Sequence, residues 1–297
     1  MKTLVRTNSY NRVLRDICVK ENTALASLYV DQTHSFFYDH PLDHVPGLLL
    51  IEGALQLAYE WARSNGFIRL CLRRVRVRFV KYCLHGTPVI IDLRAEAKLN
   101  DAHRLSIELV QADGVKARVQ LDLGEFEPVP VELHPRVPQE PSPAPAPKTR
   151  LGKINPSNVM IVEPEVHEHG WLSRLRICKG ENLLADPPKD RFWHPLYLLE
   201  AYMQLLRFQN SDPAQEHGSG RMRDILQGID YRIFAHADRA QHIWLQSELQ
   251  PKGLDRSLVR HGLLFDDKKT LANVDFSTAR AQTGIRRPTI TTLTASG

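Results

Sequence analysis

One pattern, met twice, limits what this chain can fold into more than any other feature. An apolar segment carrying Glu52-Gly-Ala-Leu-Gln56 precedes four strand-like runs, RRVRVRFV, TPVIIDLRAEAKL, RLSIELVQADG and VKARVQLDLGEF. A second apolar segment, PLYLLEAYMQLLRF, carries Glu200-Ala-Tyr-Met-Gln204 and precedes GIDYRIFAHA, AQHIWLQSELQPKG, RSLVRHGLLFDDKK and TLANVDFSTARAQ. The strand-like runs alternate or run apolar, are rich in Val and Ile, and are separated by turn residues, so they read as antiparallel strands. Between the halves lies EPVPVELHPRVPQEPSPAPAPK, too dense in proline for helix or central strand. The expected organisation is a first domain over 1–127, a proline-rich linker over 128–150 and a second domain over 151–297. The expected class is α+β, with each half an antiparallel sheet wrapped around one helix.

Composition supports two cores and narrows the partners. The chain has 297 residues, of which 42% are hydrophobic, enough to bury apolar surface in both halves. Apolar runs of about eighteen residues or more are absent, and MKTLVRTNSYNRVLRD lacks the apolar stretch of an export signal. The reading is therefore a cytoplasmic protein without a membrane partner. Cys18, Cys71, Cys83 and Cys178 form no C-x-x-C pair and have no histidines at zinc-ligand spacing, so they read as core thiols and no metal is expected. The net charge of +5 favours anionic partners, while the sequence holds no zinc-finger spacing, RNP motif or clear helix-turn-helix; nucleic acid is not expected.

Four-residue spacing puts Glu52 and Gln56 on one helical face, and Glu200 and Gln204 likewise. Each pair can meet a ligand together, or close hydrogen bonds inside a core. Ahead of the first pair stands DHPLDHVPG, residues Asp39 to Gly47. Asp39-His40 and Asp43-His44 can orient imidazoles for acid–base work, His44 more readily than His40, or can serve as turn and cap residues. In LRRVRVRFVK, Arg74, Arg76 and Arg78 alternate with Val75, Val77 and Phe79, which makes one strand face basic. That face suits phosphate or an acidic carrier protein, and also suits plain solvation.

A helix wrapped by an antiparallel sheet is the hot-dog arrangement, and FFYDHPLDHVPGLLLIEGALQ resembles the helix lead-in of hot-dog acyl-carrier-protein dehydratases. The D-H-P-x-D-H-V-P-G-x-L-L-I-E signature, the duplication across a proline-rich linker and the phrase RVRVRFVKYCLHGTPVIID are closer still to the A-factor synthase (AfsA) family. Some residues depart from these patterns. The dehydratase histidine lies fourteen residues before the helix acid, where this chain has Tyr38, while His40 lies twelve before. The second half has Trp193-His194-Pro195-Leu196 in place of the Pro-Gly lead-in, and Gly53 stands where alanine is usual.

The resemblance implies a tandem hot-dog pseudo-dimer in one chain, and a γ-butyrolactone signal synthase. Such an acyltransferase moves a β-ketoacyl group from its acyl-carrier-protein thioester to the hydroxyl of dihydroxyacetone phosphate, without a cofactor. Related activities on the same fold are dehydratase, thioesterase and non-catalytic acyl-ligand binding. Under this reading Pro46 opens the helix and the Gly47 N–H, with the Gln56 amide, holds the thioester carbonyl as it becomes an oxyanion. Glu52, expected in mostly apolar surroundings, serves as base and outranks Glu200, and His44 assists.

Overall fold

The computed structural model describes residues 6, 8–67, 70–96, 102–126, 144–168, 170–176, 191–211, 222–248 and 257–282. Most of the proline-rich stretch, and Cys178, lie outside them. Its end does not: Ala146 is buried and donates its N–H to the Ile161 carbonyl, so residues 144–150 pack against the second half.

The first half runs β1 (Leu14–Val19), β2 (Thr23–Leu28), α1 (Gly47–Ser64), β3 (Cys71–Phe79), β4 (Ile90–Ala95), β5 (His103–Gln111) and β6 (Gly114–Gly124). The second half repeats it as β7 (Glu165–His167), β8 (Gly170–Arg174), α2 (Pro195–Asn210), β9 (Met222–Ile233), β10 (Trp244–Ser247), β11 (Ser257–Phe265) and β12 (Thr270–Gln282). Among the described residues these strands form one antiparallel sheet in the order β1-β2-β4-β5-β6-β3-β9-β12-β11-β10-β8-β7. Each half uses the same order, reversed about the central β3–β9 pair. The tandem hot-dog expectation holds.

Two strands in each half precede the helix and are absent from the sequence reading. The first of them, LRDICV, is an edge strand with a bulge between Arg15 and Cys18, and Asp16 has φ of 52°. Four of its residues are exposed, so it carries no alternation to read.

The helices are wrapped. Residues 49–59 of α1 are all buried, glutamate included, as expected of a helix that meets apolar surface on every side. The sheet supplies that surface from one face: Ile91 and Leu93 of β4, Leu105, Ile107 and Leu109 of β5, and Val119, Leu121 and Leu123 of β6. Pro46 caps α1 rather than lying within it, with φ of −60° and ψ of 140°, and Gly47 is the first helical residue. In α2 the proline itself, Pro195, is first, and His194 caps it by accepting the Leu196 N–H at 3.2 Å.

Two glycines set how closely helix and sheet meet. Gly53 lets α1 lie against Leu28 and Ile91, whose methyl carbons would stand 2.6 and 2.7 Å from an added Cβ. Gly262 of β11 does the same for α2: an added Cβ would fall 2.0 Å from the ring of Tyr202, whose hydroxyl donates to the His261 carbonyl. Tyr202 is fully buried and has nowhere to retreat. Gly262→Ala should therefore lower the unfolding free energy by roughly 3 kcal/mol, measured by urea denaturation, through overpacking of a closed core.

Candidate functional site

The two E-x-x-x-Q pairs make the same hydrogen bonds in each half. Gln56 donates to the Asn11 carbonyl at 2.7 Å and accepts the Val13 N–H at 3.0 Å; Gln204 donates to the Asn158 carbonyl at 2.8 Å and accepts the Met160 N–H at 2.9 Å. Each glutamine also donates to its own glutamate, at 2.7 Å to Glu52 and 3.2 Å to Glu200. Each clamps the strap that runs into its half, through matching 3-10 turns at Ser9–Asn11 and Pro156–Asn158. The amides are spent on these bonds. Gln56 is therefore a structural clamp and has no N–H left for an oxyanion, contrary to expectation.

Each strap returns a cation to the clamped acid. Arg6 Nε lies 2.9 Å from Glu52 Oε1, and Lys153 Nζ lies 2.8 Å from Glu200 Oε1. Glu52 thus sits in an ion pair and not in apolar surroundings. Its other oxygen faces His194 Nε2 at 3.7 Å across the boundary between halves. Burial, with Arg6 and Arg239 behind it, holds the His194 pKa well below the ordinary value, so that imidazole is neutral.

The surroundings of the two acids differ. Glu52 is fully buried and lines neither cavity at the junction of the halves, whereas Glu200 lines one of about 170 Å³. There Glu200, Lys153 and Arg207 from the second half meet His40, His44 and Gly47 from the first. Arg207 Nη1 is 3.5 Å from Glu200, and its side chain is 40% exposed, so part of the guanidinium stays available. Burial opposes the charge on Glu200, but Lys153 and Arg207 outweigh it and hold the carboxyl below its usual range. Glu200 is ionised at neutral pH.

His40 points to a role the sequence reading set aside. Burial, with Lys153 and Arg207 adding to it, lowers its pKa and keeps the imidazole neutral, and its Nδ1 is buried without a partner. Asp39 does not orient it. That carboxylate instead accepts the Ile154 and Asn155 N–H groups at 2.7 and 3.2 Å, tying the first-half loop to the second-half strap. The Asp43–His44 pair does form, with His44 Nδ1 2.6 Å from Asp43 Oδ1.

The inner cavity adjoins a larger one of about 480 Å³; His44, Gly47, Phe79 and Leu226 line both. Gly47 opens α1, so its N–H has no acceptor within the helix. A Cβ on Gly47 would stand 2.9 Å from the Phe79 ring and crowd the passage. Lys81, Tyr82 and Gln227 border the outer end. At the matching place in the second half, Phe192 stacks on His236 with centroids 4.6 Å apart and Phe126 packs edge-on at 4.7 Å. Aromatic rings occupy that corner.

Arg74, Arg76 and Arg78 lie on the opposite face of the sheet from these cavities, since Val75 and Val77 between them point to the helices. Arg74 forks onto Asp230 of β9 through Nε, at 2.7 Å, and Nη2. Arg76 reaches Gln120 at 3.1 Å, and Arg78 is exposed. The structure thus brings Glu200, His44 and Gly47 together, and leaves Glu52 and the three arginines elsewhere. Lys153 and Arg207 had no motif to mark them; His40 had only its place beside the Pro-Gly lead-in.

Comparison with known proteins agrees with this architecture. Residues 1–123 match the family described as AfsA, the A-factor biosynthesis hotdog domain. A stretch of 54 residues is 39% identical to the 2-oxo-3-(phosphooxy)propyl 3-oxoalkanoate synthase of Streptomyces virginiae, covering 18% of each protein. The chain thus aligns with less than a fifth of that curated relative. Among solved structures, a dehydratase domain of the curacin polyketide synthase aligns over 88% of this chain and 92% of its own, with TM-score 0.60 and 14% identity. The 12:0-ACP thioesterase from Umbellularia californica aligns over 87% and 94%, with TM-score 0.56 and 9% identity. A tesB protein of Mycobacterium avium subs paratuberculosis aligns over 94% and 97%, with TM-score 0.53 and 13% identity. At such identities these structures share the fold.

Two consequences are measurable. Glu52→Gln takes the carboxylate from a buried guanidinium, so it should cost about 3 kcal/mol in urea unfolding. His34, stacked on Tyr10 near Glu52, has its pKa lowered by burial to about 4, against weaker opposing pulls from Asp31 and Glu52. Its folded pKa is below its unfolded one, so the unfolded chain takes the proton first. Its contribution is complete above about pH 6.5 and declines toward pH 4, by up to about 1.4 kcal/mol per pH unit. The urea midpoint should follow that slope, and His34→Asn should flatten it.

Proposed function

We propose, from the premise that residues 1–123 form an A-factor biosynthesis hotdog domain, that this protein is an acyltransferase. It moves a β-ketoacyl group from an acyl-carrier-protein thioester to the hydroxyl of dihydroxyacetone phosphate. One observation carries the reading: a single cavity joins the helix N-terminus and histidines of the first half to an acid flanked by two cations from the second.

Each part has a task in that transfer. The outer cavity admits the thioester, whose carbonyl oxygen lies against the Gly47 N–H. As the acceptor hydroxyl attacks, charge gathers on that oxygen, and an amide at a helix N-terminus stabilises it more than the ground state. His40, neutral and with one ring nitrogen lacking a partner, takes the hydroxyl proton. The new C–O bond forms, the C–S bond breaks, and the proton passes to the departing thiolate. Glu200 keeps Lys153 in place and accepts a hydrogen bond from the acceptor. The two cations exceed the one carboxylate, and the part-exposed Arg207 is the seat for the acceptor's phosphate. Nothing in this sequence of steps uses Glu52, which serves as the structural copy.

Mass spectrometry of products from a β-ketoacyl carrier-protein thioester, with and without dihydroxyacetone phosphate, tests the reading. A phosphorylated ester formed only with the acceptor supports it. Free acid in its absence indicates a thioesterase, loss of water from a 3-hydroxyacyl thioester a dehydratase, and no turnover an acyl-binding protein. His40→Asn should lower turnover by roughly 100-fold or more. The acidic limb of kcat/KM in the parent protein should lie below the ordinary histidine value of 6.5. Arg207→Ala should raise KM for the phosphorylated acceptor about 10-fold with little change in kcat, as loss of a charge-assisted hydrogen bond requires.

A further inference from the structure

We propose that the second half carries a separate anion-binding cleft, formed by Arg174, Arg176 and Arg239 around Trp193, that takes a phosphate group. The cleft has a volume of about 340 Å³, and Gln241 and His242 complete its polar lining. No carboxylate lines it, and none of its residues lines the two cavities at the junction of the halves. It therefore stands independently of the acyltransferase reading.

Two of the three cations in this cleft lack a carboxylate partner: among the described residues neither Arg174 nor Arg239 has a carboxylate within ion-pair distance. Asp238, the adjacent acid, is held by Arg191 at 2.7 Å and accepts the Ala240 N–H at 2.9 Å. Arg176 gives one N–H to the Val159 carbonyl at 3.1 Å. Arg239 lies over the Trp193 ring, 4.9 Å from its centroid, and Trp193 in turn stacks on Tyr197 at 4.7 Å. That stacking fixes the guanidinium in place. Arg239 Nε and Trp193 Nε1 are both buried without an acceptor. A corner that collects donors, buries two of them unused and excludes acids is complementary to an oxyanion. Beyond the Ala240–His242 turn lie Lys268 and Asp267, one charge of each sign.

The internal duplication supplies the control. The Leu28 N–H to Val89 carbonyl bond of the first half recurs as Leu175 to Ile243, and Val45 to Cys83 recurs as Trp193 to Ala237. These bonds put Arg174, Arg176, Arg239 and Gln241 where the first half has Ser27, Tyr29, His85 and Thr87. The first half has no arginine at these four positions; its one arginine at the corner, Arg15, stands at the counterpart of Val162 and lies over the Tyr29 ring at 3.6 Å. The matching strands and turns of the first half form without arginine at these four positions, so three arginines gathered there fit a ligand site better than a folding requirement. Forked guanidiniums match phosphate and carboxylate alike, and several of them around one cleft favour phosphate for its greater charge and number of acceptor oxygens.

Isothermal titration of the full chain with inorganic pyrophosphate, inorganic phosphate and acetate at low ionic strength tests the cleft. Arg207→Ala serves as the background, so that binding beside Glu200 does not contribute. Saturable binding of pyrophosphate or phosphate, weak or absent for acetate, should persist in that background. It should weaken about 10-fold or more on adding Arg174→Ala or Arg239→Gln, since each removes charge-assisted bonds. Without ligand, those variants should melt at or above the parent temperature, because each relieves repulsion among like charges. The proposal is overturned if binding is lost with Arg207→Ala alone, if the Arg174→Ala/Arg239→Gln double variant binds as before, or if neither phosphate probe binds. A large fall in melting temperature without ligand would also overturn it, by assigning the arginines to the fold.

Discussion

The antiparallel pairing of β3 with β9 is the contact on which the rest of the molecule depends. Val75 sits opposite Tyr231 and Val77 opposite Ile229, all buried, so the two halves share one sheet and are related by an approximate two-fold axis. That axis brings the lead-in to each helix toward the acid of the other. On the outer face the Arg74–Asp230 fork crosses the same seam. A slip of one residue would turn Val75 and Val77 outward and the arginines inward, so burial on the helix side fixes the register.

Given that axis, the carboxylate–amide–cation clamp explains both the likeness and the difference of the halves. Each acid holds its strap through the same bonds and is matched by a buried cation, which offsets the cost of burying its charge. Duplication then allows the two copies to diverge. Glu52 faces a neutral histidine cap across the seam, His194. Around Glu200 a histidine loop, a glycine and a half-exposed arginine leave space. One acid is sealed and the other faces a cavity.

Charge placement matters more here than charge count. The arginines of the outer face are largely answered by acids across the strands, as in Arg74–Asp230, Arg104–Asp122 and Arg118–Glu108. Beside the helices, two cations share the one acid Glu200, and Arg174 and Arg239 of the Trp193 cleft have no carboxylate partner among the described residues. Alternation along β3 made its basic face conspicuous, yet alternation reports only which side of a sheet a residue occupies.

Much of the architecture was legible from sequence because it rests on local periodicity: period-two strand runs, two apolar helices and an E-x-x-x-Q repeated in both. The edge strand Leu14–Val19 escaped, since an exposed, bulged strand has no apolar face to repeat. Within the site, Glu200, His44 and Gly47 were visible as parts of motifs. Arg6, Lys153, Arg207 and the use of His40 were not, because their roles come from straps and loops that meet an acid far away in the chain. The sequence alone determined that two helix-and-sheet units exist and which residues face inward, through side-chain alternation and helical pitch. Only the tertiary structure decided which acid meets a cavity, because that depends on the seam bringing the loop of one half against the helix of the other.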